Sequence, residues 1–301
     1  MATDRLASLK GVVSALVTPF RADGSVHVAA LGALAELQIG QGVHGFYVGG
    51  TTGEAPLQSA EERRLVLREF AKAVAGRRGL IAHVGAVSTA ETIALGRAAA
   101  DAGYDAISAI APYYYDFSRE EVMAHYRALA DAVPLPLIVY NFPAKSSRPL
   151  STTDILALLD HPRIVGVKHT SQNFYQLERL KQAAPGAIVW NGFDEMFVAG
   201  MAMGADGAIG TTYNVMGDLF VAMLDAMRGG DLEAARALQR RANHVIDALI
   251  EVGVIPGTKA ILKRMGVDCG TSRAPFRPLT AAEEARIDAC LAEHLPEALR
   301  G

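Results

Sequence analysis

In "RIVGVKHTS" (163–171) a lysine, Lys168, stands directly behind a short apolar run rich in β-branched residues. An ammonium group at the mouth of an apolar core needs an anionic partner, a ligand or a lowered pKa. One reading is a snorkelling or salt-bridged lysine at a rim. The other is a Schiff-base nucleophile. A free lysine, with a pKa of about 10.4, is neutral only on the order of one time in a thousand at pH 7, and burial beside apolar walls raises that fraction. Lys10, Lys72, Lys145, Lys181, Lys259 and Lys263 read as loop or helix positions, which singles out Lys168.

Imine chemistry needs a proton shuttle. Tyr140, near the end of "LPLIVYN" (135–141), can serve if its phenolate is stabilised; taken alone, it reads equally well as an interior aromatic whose hydroxyl reaches a rim. "GGTTGE" (49–54) adds the hydroxyls of Thr51 and Thr52 and successive backbone N–H groups at a helix-entry turn, a nest suited to a carboxylate. The histidines are scattered, with no HExxH or paired spacing, and Cys269 and Cys290 form no CxxC pair. Neither a metal nor a disulfide framework is indicated, and a cofactor-free mechanism is expected.

These residues must be positioned by regular elements. Short apolar runs recur at 12–17, 45–50, 80–85, 106–110, 135–141, 164–168, 187–192 and 207–210, with single helical stretches between them, several of which open on Ser, Thr or Asp and several of which close on Gly or Pro. Eight such βα units predict an α/β fold, a closed (β/α)8 TIM barrel over 1–214; a doubly wound open sheet is the runner-up, disfavoured because GxGxxG and Walker sequences are absent. From 215 to 301 the pattern is helical only, an extension that either packs on the barrel or builds subunit contacts. Barrel sites form at the C-terminal ends of strands. Reading those ends brings together Thr51, Thr52, Tyr113 to Tyr115, Tyr140, Lys168, Thr170, Asn191, Gly192, Asp194, Glu195 and Gly210 to Thr212.

Composition narrows the class. With 301 residues, 50% hydrophobic, the chain suits one globular enzyme-sized unit. A formal charge of −3 without like-charge runs offers no footprint for nucleic acid and no polybasic membrane patch, so small-molecule partners are expected. Two cysteines fit a reducing cytoplasm. "LKGVVSALVTPF" superficially resembles a signal peptide, but its apolar run is broken by Thr18 and Pro19, and it reads as a first strand. No window approaches the apolar length of a membrane helix.

Together "GGTTGE", "YNFP", "GVKHTS" and "NGFDEMF…GADGAIGTTYN" resemble the dihydrodipicolinate synthase/N-acetylneuraminate lyase family of class I, Schiff-base aldolases, from "ALVTPF" to the helical tail. The resemblance implies Lys168 as the imine-forming lysine, Tyr140 as the acid/base, and Thr51 and Thr52 as the pair holding the pyruvate carboxylate. It implies that Tyr114 reaches a neighbouring subunit's site, within a homotetramer built as a dimer of dimers.

"HVGAVSTAE", "YYYDFS", "KHTSQN", "NGFDE" and "GTTYNVMG" are similar to the lyase branch, whereas synthases carry "KEA" after the lysine and "SGDD" in place of "NGFDE". That match implies Gly192, Asp194, Glu195, Thr170 and Thr211 for a polyhydroxylated sugar, whose vicinal hydroxyls can donate to paired carboxylates. It also implies reversible cleavage of N-acetylneuraminate to N-acetylmannosamine and pyruvate. Thr51 and Thr211 replace serines of well-known lyases, keeping the hydroxyl and adding a methyl. Lys145 stands where those lyases have an apolar residue and synthases an arginine; it reads either as a partner for an anionic group or as a solvated loop lysine. The alternatives are 4-hydroxy-tetrahydrodipicolinate synthesis, aldolase or dehydratase action on another 2-keto-3-deoxy sugar acid, and a non-catalytic 2-keto acid sensor.

Overall fold

The computed structural model describes residues 6, 9–146 and 148–299. Eight parallel strands, β1 (Val12–Ala15), β2 (Gly45–Val48), β3 (Gly79–His83), β4 (Ala106–Ile110), β5 (Leu137–Asn141), β6 (Ile164–His169), β7 (Ile188–Asn191) and β8 (Gly207–Gly210), pair in chain order and close into a barrel. Pairing of β1 with β8 through Val12↔Ala208 and Val13↔Ile209 rules out the open sheet. Every apolar run of the sequence becomes a strand, shortened where it enters a loop.

Alternation along each strand sorts the residues into two cores. Val13, Tyr47, Ile81, Ile110, Ile138, Tyr140, Ile188, Trp190 and Ile209 fill the interior, and Trp190 Nε1 donates to the Leu9 carbonyl at 2.8 Å to close its floor. The alternate residues Phe46, Val48, Ala82, Ile107, Val139, Val167 and Val189 pack outward. They meet α1 (Val28–Gly40), α2 (Ala60–Val74), α3 (Thr89–Asp101), α4 (Arg119–Ala132), α5 (Thr152–Leu159), α6 (Phe174–Ala183) and α7 (Phe197–Ala202). Ser59, Ser118 and Ser151 start their helices with reciprocal capping boxes to Glu62, Glu121 and Asp154, and Ser88 caps α3.

The helical tail consists of α8 (Tyr213–Arg228), α9 (Leu232–Val252), α10 (Val254–Arg264) and α11 (Ala281–His294). Helix α8 packs on β1 as well as on α9, so the composition change at 214/215 falls inside the eighth helix of the barrel. Residues 1 and 301, the outer limits of the two predicted segments, and Ser147 of "YNFPAKSS" lie outside the described residues. Among the described residues no helix is long and apolar enough to cross a membrane.

Candidate active site

Lys168 is the penultimate residue of β6, on an inward position, in register between Tyr140 of β5 and Trp190 of β7. It is 5% exposed, and its Nζ lies 4.2 Å from the ring centroids of both Tyr47 and Tyr140. Burial among these rings lowers its pKa to about 7, while the Asp194 carboxylate partly opposes the shift. A large fraction of the amine is therefore neutral at physiological pH. Tyr47, which sequence reading missed, is fixed by donating to Ser108 Oγ at 3.1 Å. Its position inside "GFYVGG" was visible, but nothing local reveals which ring will face a lysine four strands away.

Tyr140 is buried, and burial pushes its phenol up to about 12; the hydroxyls of Thr51 and Thr170 act in the opposite direction, and Asp194 raises it further. This corrects the expectation of a stabilised phenolate. In the empty site the desolvation of the anion outweighs the two hydroxyls, so Tyr140 holds its proton. Thr170 Oγ1 is itself buried without a well-formed hydrogen bond, close enough to polarise the phenol but poorly aligned with it. The rings of His83 and Tyr140 meet edge to face at 5.8 Å. His83 is bonded to the Gly49 carbonyl through Nδ1 and accepts from the Ile110 N–H at Nε2, and burial drives its pKa down to about 3. It is a neutral strut under the glycine-rich turn.

Thr52 Oγ1 and Thr211 Oγ1 are 2.7 Å apart, joining the turns after β2 and β8. Asp194 accepts from the N–H and the hydroxyl of Thr212, both at 2.8 Å, leaving Oδ1 buried and unpartnered. Burial raises its pKa to about 6 against those two bonds. The Asp194 and Glu195 carbonyls accept from Gln239 and Asn243 of α9, so the tail holds this turn. Gly192 is required by close approach: a Cβ there would lie 1.9 Å from Thr170 Oγ1.

Lys168, Tyr140, Thr51, Thr52, Thr170, Gly192, Asp194, Glu195, Thr211 and Lys145 all line one cavity of about 530 Å³. Part of its wall was not anticipated: Ile246 and Ile250 of α9, Val254 and Ile255 of α10, and Phe276 line it with apolar side chains. The tail thus packs on the barrel and completes the cavity. Lys145 is exposed and also borders an adjoining cavity of about 190 Å³ with Thr51, His83 and Tyr113. Tyr114 does not enter either cavity; it is 84% exposed, in a left-handed conformation (φ 84°), with its ring edge-on to Tyr115. Lys259 adds a finding the sequence did not offer. It lies on a helix as read, but it is as buried as Lys168; Glu54 satisfies it at 2.6 Å, so burial alone does not distinguish Lys168. What does is the lack of a bonded carboxylate.

The model of the dihydrodipicolinate synthetase family matches residues 8–294. The chain belongs to this family. Within it, the chain is similar to the N-acetylneuraminate lyase of Rhizobium meliloti (strain 1021), 56% identical over 279 residues that cover 93% of each chain. Among solved structures, CdNal of Clostridium difficile in complex with mannosamine superposes with a TM-score of 0.93 at 32% identity, covering 95% of this chain and 99% of that one. A catalytic-lysine mutant of the Ruminococcus gnavus sialic acid aldolase gives 0.94 at 30% identity, covering 98% of each. Among the described residues no group of three or more His, Cys, Asp or Glu side chains is assembled that could hold a metal ion.

Proposed function

We propose that this protein is a Schiff-base lyase that cleaves N-acetylneuraminate reversibly to N-acetylmannosamine and pyruvate. The observation that carries the reading is a buried amine with a pKa of about 7 in a cavity that Asp194 and Glu195 also line. The similarity to N-acetylneuraminate lyases selects the sugar.

The Lys168 Nζ lone pair attacks the C2 ketone of the open-chain sugar, and loss of water leaves a protonated imine. Thr51 and Thr52, on the turn after β2, hold the carboxylate. The imine is a fixed positive charge beside the Tyr140 ring, where the amine had been neutral, and an adjacent cation favours the phenolate. Tyr140 therefore becomes a competent base only once the covalent intermediate exists. It takes the C4 hydroxyl proton while C3–C4 breaks and its electron pair moves into the imine to give an enamine. Protonation at C3 and hydrolysis release pyruvate. Thr170, Gly192, Asp194, Glu195 and Thr211 receive the sugar hydroxyls, and the apolar wall from α9 and α10 accepts the acyl methyl.

Tyr114 is assigned to a neighbouring subunit's site, a reading supported by its exposure and by its not lining this chain's own cavity. The assembly is a homotetramer, a dimer of dimers, in the cytoplasm. Residues 1–214 act as the catalytic barrel and 215–301 as the extension packed on it, with α8 shared between them.

The direct test is pyruvate release from N-acetylneuraminate, followed by a coupled dehydrogenase. Release with saturation is expected. No release from protein that still forms a borohydride-trapped pyruvate adduct would keep the aldolase and discard the sugar. A second reading, condensation of pyruvate with an acidic aldehyde, is favoured by Lys145 at the junction of the two cavities. Lys145→Leu is expected to change kcat/KM for N-acetylneuraminate by less than about threefold, since an exposed ammonium contributes little. A selective loss on acidic aldehydes of about tenfold or more would instead make it a carboxylate partner.

A further inference from the structure

The other buried lysine has no part in the chemistry above, yet its partner lies two residues from Thr52. Glu54 is the last residue of "GGTTGE" and adopts a left-handed conformation (φ 58°). Its carboxylate is held on both oxygens: Oε1 accepts from Lys259 Nζ at 2.6 Å and Oε2 from the Arg273 N–H at 2.8 Å. The side chains of Glu54 and Lys259 are 0% and 1% exposed. Lys259 also donates to the Thr271 carbonyl and lies over the Phe20 ring, whose centroid is 4.5 Å away. The turn is also tied by Thr18 and Gln58, which donate to the Gly53 carbonyl, by the Glu54 and Ala55 N–H groups donating to the Thr51 and Gly50 carbonyls, by His83 Nδ1 on the Gly49 carbonyl and by the Thr52–Thr211 hydroxyl pair, but none of these bonds reaches residues 215–299.

We infer that the Glu54–Lys259 pair positions the carboxylate-holding turn, clamping it to the helical tail so that Thr51 and Thr52 are fixed relative to the cavity wall. This rests on the functional reading above. Ile255, which lines that wall, and Lys259 are four residues apart on α10, one turn along the same helix face. A single helix therefore presents an apolar side chain to the substrate cavity and an ammonium to the turn that meets the other end of the substrate. A buried ion pair is a weak source of net stability compared with apolar packing, so its presence here suits a role in geometry.

Pairs of this kind fail badly when one member is removed, because the remaining charge is left buried and uncompensated. Lys259→Met alone would therefore confuse misfolding with misplacement, and the informative variant is Glu54→Gln combined with Lys259→Met, which removes both charges. The full-length protein carrying both changes is expected to fold, judged by circular dichroism. Its half-saturating pyruvate concentration for borohydride trapping should rise by about fivefold or more, with kcat at saturating substrate within about twofold of the parent. A folded double variant with the parental half-saturation would overturn the inference, as would kcat and affinity falling together with the folded fraction, which marks a merely structural tie. If the parent itself traps no pyruvate, the functional reading falls and takes this one with it.

Discussion

Lys168→Ala is expected to lower pyruvate release by more than about 10⁴-fold and to abolish borohydride trapping of pyruvate, read by mass spectrometry as loss of the adduct. The size of the loss follows from the covalent route: without a primary amine no iminium forms, and no neighbouring group can serve as the electron sink for C3–C4 cleavage. Lys259, the only other lysine that is buried among the described residues, is engaged by Glu54 and does not line the cavity. An adduct persisting at another lysine would sink the assignment. The parent's pH profile offers an independent check. With the amine pKa lowered to about 7, kcat/KM should fall about tenfold per pH unit below that value and level off above it.

The same shift fixes the sign of a stability effect. Between pH about 7 and the ordinary lysine value the unfolded chain binds a proton that the folded chain does not. The buried amine therefore opposes folding in full below pH 7, and the penalty fades as the pH rises toward the ordinary value. Lys168→Met, which keeps the volume and removes the charge, should melt no lower than the parent at neutral pH. That control separates lost chemistry from lost structure.

The barrel was legible because its signals are local and periodic: eight apolar runs, single helices between them, and Ser and Thr caps at predictable places. The convergence of Thr51, Tyr140, Lys168, Asp194 and Thr211 followed, since a closed parallel barrel brings every strand's C-terminal end to one rim. Three things were not legible. Tyr47 and His83 look like ordinary strand residues, and only the barrel's curvature turns them toward Lys168 and Tyr140. The apolar wall from Ile246 to Phe276 depends on how α9 and α10 dock, which a helical periodicity does not reveal. The titration of Tyr140 was not legible either, because the depth of burial that raises its pKa is a property of the closed barrel and not of the local sequence.

Tyr140 supplies the second large effect. Tyr140→Phe should slow N-acetylneuraminate cleavage by about 10²- to 10⁴-fold while leaving borohydride trapping of pyruvate within about threefold of the parent. The ring remains, so the apolar enclosure of Lys168 and its lowered pKa are preserved; only the hydroxyl that reaches the C4 oxygen is lost. A split between the two assays is the signature of a base that acts after the imine forms. It follows from the electrostatics, since a phenol held near pKa 12 is a poor base in the empty site and improves only when a neutral amine beside it becomes a cation. The variant should also lose any pH dependence of kcat arising from the phenol, leaving the ionisation of Lys168 in kcat/KM intact. If trapping and cleavage instead fall by the same factor, Tyr140 is acting in imine formation itself, and the order of proton transfers proposed for this site is wrong.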